Sequence, residues 1–171
     1  TQYGSTVAIG NVVVSPSEFM PRLFAENGRL LDSQGRITLD TPEALRALEN
    51  YRETYSYSDR TIYDFWKNAL EGFADGTAAM TVVFINYASH ILNSQMSRIA
   101  GKLGFAPVPG GKPLLGGGVI GITQSCTCPA AACKFLEWLY ADLVAPVFTM
   151  LGGLSPCRSA YSNRDISEQY P

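Results

Sequence analysis

A run of glycines near residue 116 has the spacing of a nucleotide-binding loop. Residues 116–121 satisfy the pattern G-x-G-x-x-G. In a dinucleotide site such a loop must follow a strand and open a helix, so that the helix N-terminus faces the pyrophosphate. Here Val119 and Ile120 are β-branched, which predicts that the glycines open a strand. No cofactor is therefore expected, and residues 116–118 either bring bare backbone against a flat ligand or a neighbouring chain, or form a flexible turn.

Residues suited to catalysis are few. His90 is the only histidine, and its position in a predicted short helix over residues 86–95 favours a partly buried helix residue over a general base. The sequence contains neither G-x-S-x-G nor H-E-x-x-H. A carboxylate pair for glycoside hydrolysis could come from any two of the fifteen acidic residues, because its spacing is spatial rather than sequential. We expect a protein that is not an enzyme and has no catalytic residues.

The four cysteines do not have the spacing of a typical zinc site. Cys126, Cys128 and Cys133 form C-x-C-x4-C, and Cys157 lies apart. Structural zinc sites usually offer two separated pairs of ligands. No metal is expected, whereas a disulfide between Cys133 and Cys157 and a set of four reduced thiols both remain open.

The composition indicates a chain that can bury a hydrophobic core, and it disfavours nucleic acid as a partner. Hydrophobic residues make up 46% of the chain and charged residues 16%, with a net charge of −2. Because no basic patch is visible, no nucleic acid is expected to bind this segment. No apolar run reaches the ~18–20 residues that span a bilayer, and no signal peptide opens the chain. The ends, at Thr1 and Pro171, are expected to be cuts within a longer polypeptide.

Two helices are predicted from their start signals. The order Ser15-Pro-Ser-Glu18 predicts an N-cap at Ser15 and a capping box closed by Glu18, with a stop at residues 27–28. Thr41 is predicted to cap a second helix in which Pro42 is the first residue. The buried stripe of the second helix is predicted to be Ala44, Leu48, Tyr51 and Tyr55.

The remaining pattern alternates strands with helices. A third helix over residues 62–73 is predicted to end before Gly76, with Trp66 packed in the core. Strands are predicted over residues 7–14, 78–84 and 103–107, and two short extended pieces are predicted at residues 30–31 and 36–39. Alternation of this kind predicts an α/β fold with a mainly parallel or mixed sheet. Ligands bind beyond the carboxyl ends of strands in such sheets, which directs attention to Phe84, Asn86 and Tyr87.

The order of motifs along the chain resembles that of the carbohydrate-binding extracellular solute-binding proteins of the maltodextrin-binding type, which feed ABC transporters. The motifs are F-x-x-G-x-A-A-M at residues 73–80, G-x-A-P-x-P-G at 104–110, L-G-G from 115, P-x-x-A-x-x-F-L at 129–136 and G-G-x-x-P-x-R at 152–158. D-x-P-E-A at residues 40–44 matches a further motif upstream. The combined match covers most of the chain.

The chain departs from the pattern of that family at several positions. Arg29 replaces the second glycine of an N-G-G turn, and Cys126 and Cys128 stand where the family usually has Lys and Asn. The tryptophan often found after the A-A-M strand is absent. Phe84 and Tyr87 are the aromatic residues that could stack on the C–H face of a sugar ring in its place.

The resemblance implies a periplasmic-binding-protein-like lobe, with a mixed sheet flanked by helices and a segment that crosses into the other lobe. Residues 1–113 would belong to the C-terminal lobe, residues 114–155 would cross into the first lobe, and residues 156–171 would return. The ligand-binding residues expected from this reasoning are Phe84, Asn86, Tyr87, Gly116, Gly117, Gly118 and Arg158.

The resemblance also implies a function. A sugar or oligosaccharide would bind between two lobes and be delivered to the membrane permease of an ABC transporter. The protein would be a monomer, and either periplasmic or an extracellular lipoprotein anchored to the membrane. The alternative is a cytoplasmic transcription regulator in which the same fold serves as the sugar-sensing module.

Overall fold

The structure is a computed structural model that describes residues 3–9, 14–60, 66–162, 164 and 168, with the side chains of residues 66–68 excepted. The chain divides into two compact units. The first unit consists of Thr1–Phe84 and His90–Gly116, and the second consists of Ile85–Ser89 and Gly117–Pro171.

Helices predominate over strands in the described residues. The strands are β1 (Tyr3–Thr6) and β2 (Ala78–Thr81). The helices are α1 (Val14–Ala25), α2 (Pro42–Ser56), α3 (Trp66–Ala74), α4 (Ala88–Leu92), α5 (Pro129–Leu139), α6 (Ala145–Met150) and α7 (Arg158–Tyr161), with a 3-10 turn over Ile85–Tyr87 before α4.

The two strands form a small parallel sheet in the first unit. Tyr3 pairs with Ala78 and Thr6 with Thr81, and the hydroxyls of the two threonines lie 2.7 Å apart. The second strand of a parallel pair needs a long crossover connection, and here α1, α2 and α3 provide it. This arrangement confirms the α/β prediction.

Several predicted strands are wrong. The described first strand lies at Tyr3–Thr6, whereas residues 7–9 are not in a strand and Val14 belongs to a helix; residues 10–13 of the predicted strand lie outside the described residues. The strand predicted over residues 78–84 ends at Thr81 and leaves Met80 exposed. Residues 103–107 and 119–122 are extended or irregular without strand pairing. Apolar, β-branched sequence favours a strand, but a strand also needs a partner for its N–H and C=O groups. Within the described residues these two segments have none.

The start of α1 differs from the prediction, whereas its end agrees with it. Because the helix already includes Val14, Ser15 is not its N-cap, and the Glu18 side chain binds elsewhere instead of closing a capping box. At the C-terminal end, Asn27 has a φ of 63°, and the Gly28 N–H donates to the Leu23 carbonyl at 2.9 Å. This is a Schellman-type stop, with asparagine in the left-handed position.

The predicted start of α2 is confirmed. Thr41 Oγ1 accepts a hydrogen bond from the Ala44 N–H at 3.2 Å, and Pro42 is the first residue of the helix. The buried stripe is only partly as predicted, because Ala47 is buried and Leu48 is exposed. Ala44 and Ala47 pack with Leu23 of α1, so the small residues mark where the two helices approach.

The third helix and the hairpin before α2 also agree with the sequence. Ala69, Leu70 and Ala74 are buried on α3, and Gly76 follows with a φ of 77°. The side chain of Trp66 and residues 61–65 lie outside the described parts. Leu31 and Ile37 form an antiparallel bridge, which confirms the two extended pieces.

The N-cap of α2 gives a direct test of this fold. Replacing Thr41 by Ala removes the acceptor for the Ala44 N–H, and we expect the free energy of unfolding of the full-length protein to fall by about 1 kcal/mol. Thr54→Ala is the matched control. That hydroxyl only donates to the Asn50 carbonyl within the exposed face of the same helix, so the change should be close to neutral. Denaturant unfolding measures both, and an equal loss in both variants would contradict the capping role.

Candidate functional site

Phe84 and Gly116 lie against each other in the first unit. Phe84 is half-buried, three residues beyond the end of β2. A Cβ placed on Gly116 would lie 2.8 Å from Cε1 of the Phe84 ring. The glycine therefore lets the backbone approach the aromatic ring more closely than any side chain would allow. Two of the predicted ligand-binding residues are brought together in this way.

A small cavity of about 90 Å³ lies beside this pair. It is lined by Ser17, Glu18, Pro21, Val82, Val83, Phe84, Val108, Pro113 and Leu114. One aromatic ring, one hydroxyl and one carboxylate residue thus share a mostly apolar concavity. Its volume is below the ~300–1,000 Å³ of whole small-molecule sites, so it has room for only part of a ligand.

The remaining predicted residues belong to the second unit. Asn86 is exposed and Tyr87 is half-buried in the 3-10 turn, and the Asn86 carbonyl accepts a hydrogen bond from Ser89 Oγ at 3.3 Å. Gly117 and Gly118 are exposed, and a Cβ at either residue would have no other heavy atom of the described residues within 4 Å. Arg158 is exposed at the first residue of α7. Their contact with a ligand stays a prediction.

Glu18 is a residue of this region that the sequence reasoning assigned to the wrong role. It is 3% exposed, and its Oε1 accepts a hydrogen bond from the Ala8 N–H at 3.2 Å. Its Oε2 lies 2.9 Å from Nη1 of Arg22, one helical turn further along α1. The i,i+4 spacing of Glu18 and Arg22 was a signal for this ion pair, whereas the contact with Ala8 depends on the fold.

Tyr51 hydrogen-bonds to the carbonyl of Ala8, the residue whose N–H binds Glu18. Its hydroxyl donates to the Ala8 carbonyl at 2.9 Å, and the Arg22 guanidinium lies 4.9 Å from the centre of its ring. Burial, and next the negative charge of Glu18, raise the pKa of Tyr51. The backbone N–H and C=O of the fully buried Ala8 are therefore both satisfied by side chains, one from α1 and one from α2.

Burial dominates the ionisation of Glu18. Loss of solvent raises the pKa of the carboxyl above its usual value, and the nearby Arg22 charge together with hydrogen bonds from Arg22 and Ala8 opposes that rise. Arg22 Nε is itself buried without a hydrogen-bond partner among the described residues. The ionised pair is thus held at a cost in desolvation.

The part of the chain that the structure describes contains no assembled metal site and no disulfide. No group of three or more His, Cys, Asp or Glu side chains is placed to hold a metal ion there. All four cysteines are free, so the pairing of Cys133 with Cys157 is not formed. His90 is half-buried on α4, which agrees with its interpretation as a helix residue.

A larger concavity of about 930 Å³ lies between α1 and α2. Its walls are mainly Phe19, Met20, Leu30, Leu39, Leu45 and Leu48, and its polar members are Ser15, Asp40, Thr41 and Tyr51. A sugar presents hydroxyls on most sides, and each buried hydroxyl needs a hydrogen-bond partner. The smaller cavity differs in that its lining includes a predicted ligand-binding residue, Phe84.

The sequence model of a family described as bacterial extracellular solute-binding protein matches residues 10–171. The chain belongs to this family. Along the described residues, no helix has the length and apolar character needed to cross a membrane.

Two curated relatives carry transport names. The chain is 28% identical over 91 residues to the putative ABC transporter periplasmic-binding protein YcjN of Escherichia coli K12, an alignment that covers 53% of this chain and 20% of YcjN. It is 20% identical over 173 residues to the protein y4oP of Sinorhizobium fredii, named as a probable amino-acid ABC transporter periplasmic-binding protein, with coverage of 99% and 40%. The chain thus spans less than half of the length of these relatives.

Two solved structures share the fold. The maltose-bound MalE3 of T. maritima superposes with a TM-score of 0.86 and 25% identity, covering 99% of this chain and 46% of MalE3. A solute-binding protein of an ABC transporter from Agrobacterium radiobacter K84, in complex with ribitol, superposes with a TM-score of 0.80 and 23% identity, covering 98% and 45%. The periplasmic-binding-protein-like fold expected from the sequence is confirmed.

The contact between Gly116 and Phe84 generates the second prediction. Gly116→Ala would place a methyl group against the ring, whereas Gly117→Ala meets open space, and neither backbone is in the left-handed region. Both changes restrict the unfolded chain to a similar extent. We expect Gly116→Ala to be less stable than Gly117→Ala by about 1 kcal/mol, with a displaced Phe84 ring. Denaturant unfolding and the NMR shifts of the ring measure these effects, and identical behaviour of the two variants would refute the contact.

The ionisation of Glu18 generates the third prediction. Because its folded-state pKa is raised, the folded protein keeps this proton over a pH range in which the unfolded chain has lost it. The contribution of Glu18 to stability is therefore present at acidic pH and is lost as the pH rises through the folded-state pKa. We expect the stability of Glu18→Gln relative to the parent to increase from pH 4 to pH 7. A difference that stays constant or moves in the opposite direction contradicts the raised pKa.

Proposed function

We propose that the protein to which this chain belongs binds a sugar or oligosaccharide between two lobes and delivers it to the permease of an ABC transporter. The observation that carries the proposal is the likeness to maltose-bound MalE3 over 99% of the chain, with a TM-score of 0.86 and 25% identity. The sugar is bound and released unchanged in this proposal, without a catalytic step.

The contact between Phe84 and Gly116 supports a sugar as the ligand. An aromatic ring can stack on the C–H face of a pyranose, and a glycine beside the ring keeps the approach open. Asn86 and Tyr87 follow directly along the chain and could hydrogen-bond to sugar hydroxyls. The exposed backbone of Gly117 and Gly118 and the guanidinium of Arg158 are proposed as further contacts.

An amino acid is the second candidate ligand, because the relative y4oP carries an amino-acid transport name. A free amino acid presents a carboxylate, which needs a cation or several N–H donors when it is buried. The cavity beside Phe84 is lined by no lysine or arginine among the described residues. This lining disfavours the carboxylate of a free amino acid.

The proposed lobes follow the resemblance to the family. Residues 1–113 would form part of the C-terminal lobe, residues 114–155 would contribute to the first lobe, and residues 156–171 would return. In such an arrangement the apolar side chains of Val119, Phe135 and Trp138, which are exposed here, would be covered by the rest of the protein. The protein would act as a monomer outside the cytoplasm, in the periplasm or anchored as a lipoprotein.

The test of this function is the titration of the full-length protein with maltose, maltotriose, ribitol, leucine and glutamate. We expect a sugar to bind, and Phe84→Ala to weaken its binding about tenfold, equivalent to about 1.4 kcal/mol, because the stacking surface is lost. Phe84→Trp should retain most of the affinity, since it keeps an aromatic face. Phe105→Ala removes an exposed ring of the same unit and serves as the control.

Calorimetry measures each affinity, and circular dichroism confirms that the variants fold. Binding of an amino acid and of no sugar would reject the proposed ligand class. Equal sugar affinities for Phe84→Ala and the parent would remove Phe84 from the site.

A further inference from the structure

The carboxylate of Glu18 connects the segment after β1 to the cavity beside Phe84. Its two oxygens are occupied by the Ala8 N–H at 3.2 Å and by Arg22 Nη1 at 2.9 Å. The same residue lines the small cavity together with Phe84 and Ser17. The side chain of Glu18 therefore links α1 to the segment after β1, and α1 supplies one side of the cavity.

An ionised carboxylate that makes this connection has a high desolvation free energy. Glu18 is almost fully buried, and removing a charge from water costs more than a well-packed apolar side chain would. The neighbouring Tyr51 already holds the Ala8 carbonyl without a charge. The Ala8 N–H needs only an acceptor, which a neutral amide oxygen would also supply, so the charge of Glu18 exceeds what this hydrogen bond requires.

The charged and titratable groups around Glu18 are few. Arg22 faces it from α1 and Tyr51 faces it from α2. Apart from Glu18, the described residues that line the cavity, from α1, from residues 82–84 and from residues 108–114, carry no titratable side chain. Its ionisation is therefore governed by burial, by Arg22 and by whatever occupies the cavity.

We propose that ionised Glu18 is a positioning residue for the ligand, which holds the N-terminal half of α1 in place beside the Phe84 wall of the cavity. It does so through the Ala8 N–H and through Arg22, whose guanidinium lies 4.9 Å from the centre of the Tyr51 ring on α2. The inference rests on the proposed function, because it assumes that this wall contacts the sugar. Glu18 need not touch the sugar itself. It acts by fixing the wall that does.

Opposite pH dependences follow for stability and affinity. Protonation of Glu18 leaves an oxygen to accept from Ala8 but cancels the charge that holds Arg22 over Tyr51 of α2, so the position of α1 relative to α2 is less tightly fixed. Affinity for the sugar should fall on acidification. The contribution of the same group to stability increases on acidification, since burial raises its pKa. If Glu18 only stabilised the fold, acidification would change the stability and the sugar affinity in the same direction.

The experiment compares the full-length parent, Glu18→Gln and Glu43→Gln. Glutamine keeps the shape and the acceptor for Ala8 but loses the charge. Glu43→Gln removes an exposed ion pair with Arg46 and is the control. Maltose affinity is measured by calorimetry between pH 5 and pH 8, and the free energy of unfolding by denaturant titration.

We expect Glu18→Gln to bind maltose about tenfold more weakly at pH 7 than the parent, without a loss of stability. Acidification should weaken the parent's binding and leave that of Glu18→Gln unchanged, and the control should follow the parent. Equal affinities of Glu18→Gln and the parent at pH 7, or a parallel loss of affinity and stability, would overturn the inference.

Hydrogen exchange of the ligand-free protein distinguishes this inference from the proposed function. If the parent fails to bind maltose or any other sugar, the proposed function is rejected, and the wall is still measured by the exchange of residues 82–84 and 114–116. Faster exchange there in Glu18→Gln than in Glu43→Gln supports the positioning role. Equal exchange in the two variants overturns it.

Discussion

The need of the buried Ala8 N–H and C=O for hydrogen-bond partners is the constraint on which the first unit depends. Ala8 lies beyond the end of β1 at Thr6, so its N–H and C=O are not paired within the small parallel sheet. Ala8 is also fully buried, so neither group can reach water. An unpaired buried peptide group costs roughly as much as a lost hydrogen bond, so partners must be supplied. Glu18 supplies the acceptor and Tyr51 supplies the donor. These two contacts join the first strand to both of the long helices that follow it.

The position of the candidate site follows from that constraint. Once α1 is tied to the segment after β1, its N-terminal half borders the cavity whose other side includes Phe84. Gly116 then approaches the ring closely without placing a side chain of its own against it. The chain belongs to the extracellular solute-binding family, and the two solved structures that share the fold have chains about twice as long as this one.

Local features such as helix caps were predicted from the sequence more accurately than the pairing of strands. Thr41 and Asn27 were recognisable because a cap or a left-handed stop depends on a few adjacent atoms. The strands predicted over residues 103–107 and 119–122 were wrong, since pairing depends on partners that a local pattern does not contain. Glu18 was misassigned for the same reason. Its proximity to Arg22 was visible as an i,i+4 spacing, but its bond to Ala8 exists only once the fold has formed.

The most direct measurement is a crystal structure of the full-length protein with its sugar bound. The account predicts a sugar ring stacked within about 4 Å of the Phe84 ring, next to the backbone of residues 116–118, with Glu18 still bonded to Ala8. A sugar bound elsewhere, for example in the apolar concavity between α1 and α2, without any contact to the Phe84 ring, would contradict it.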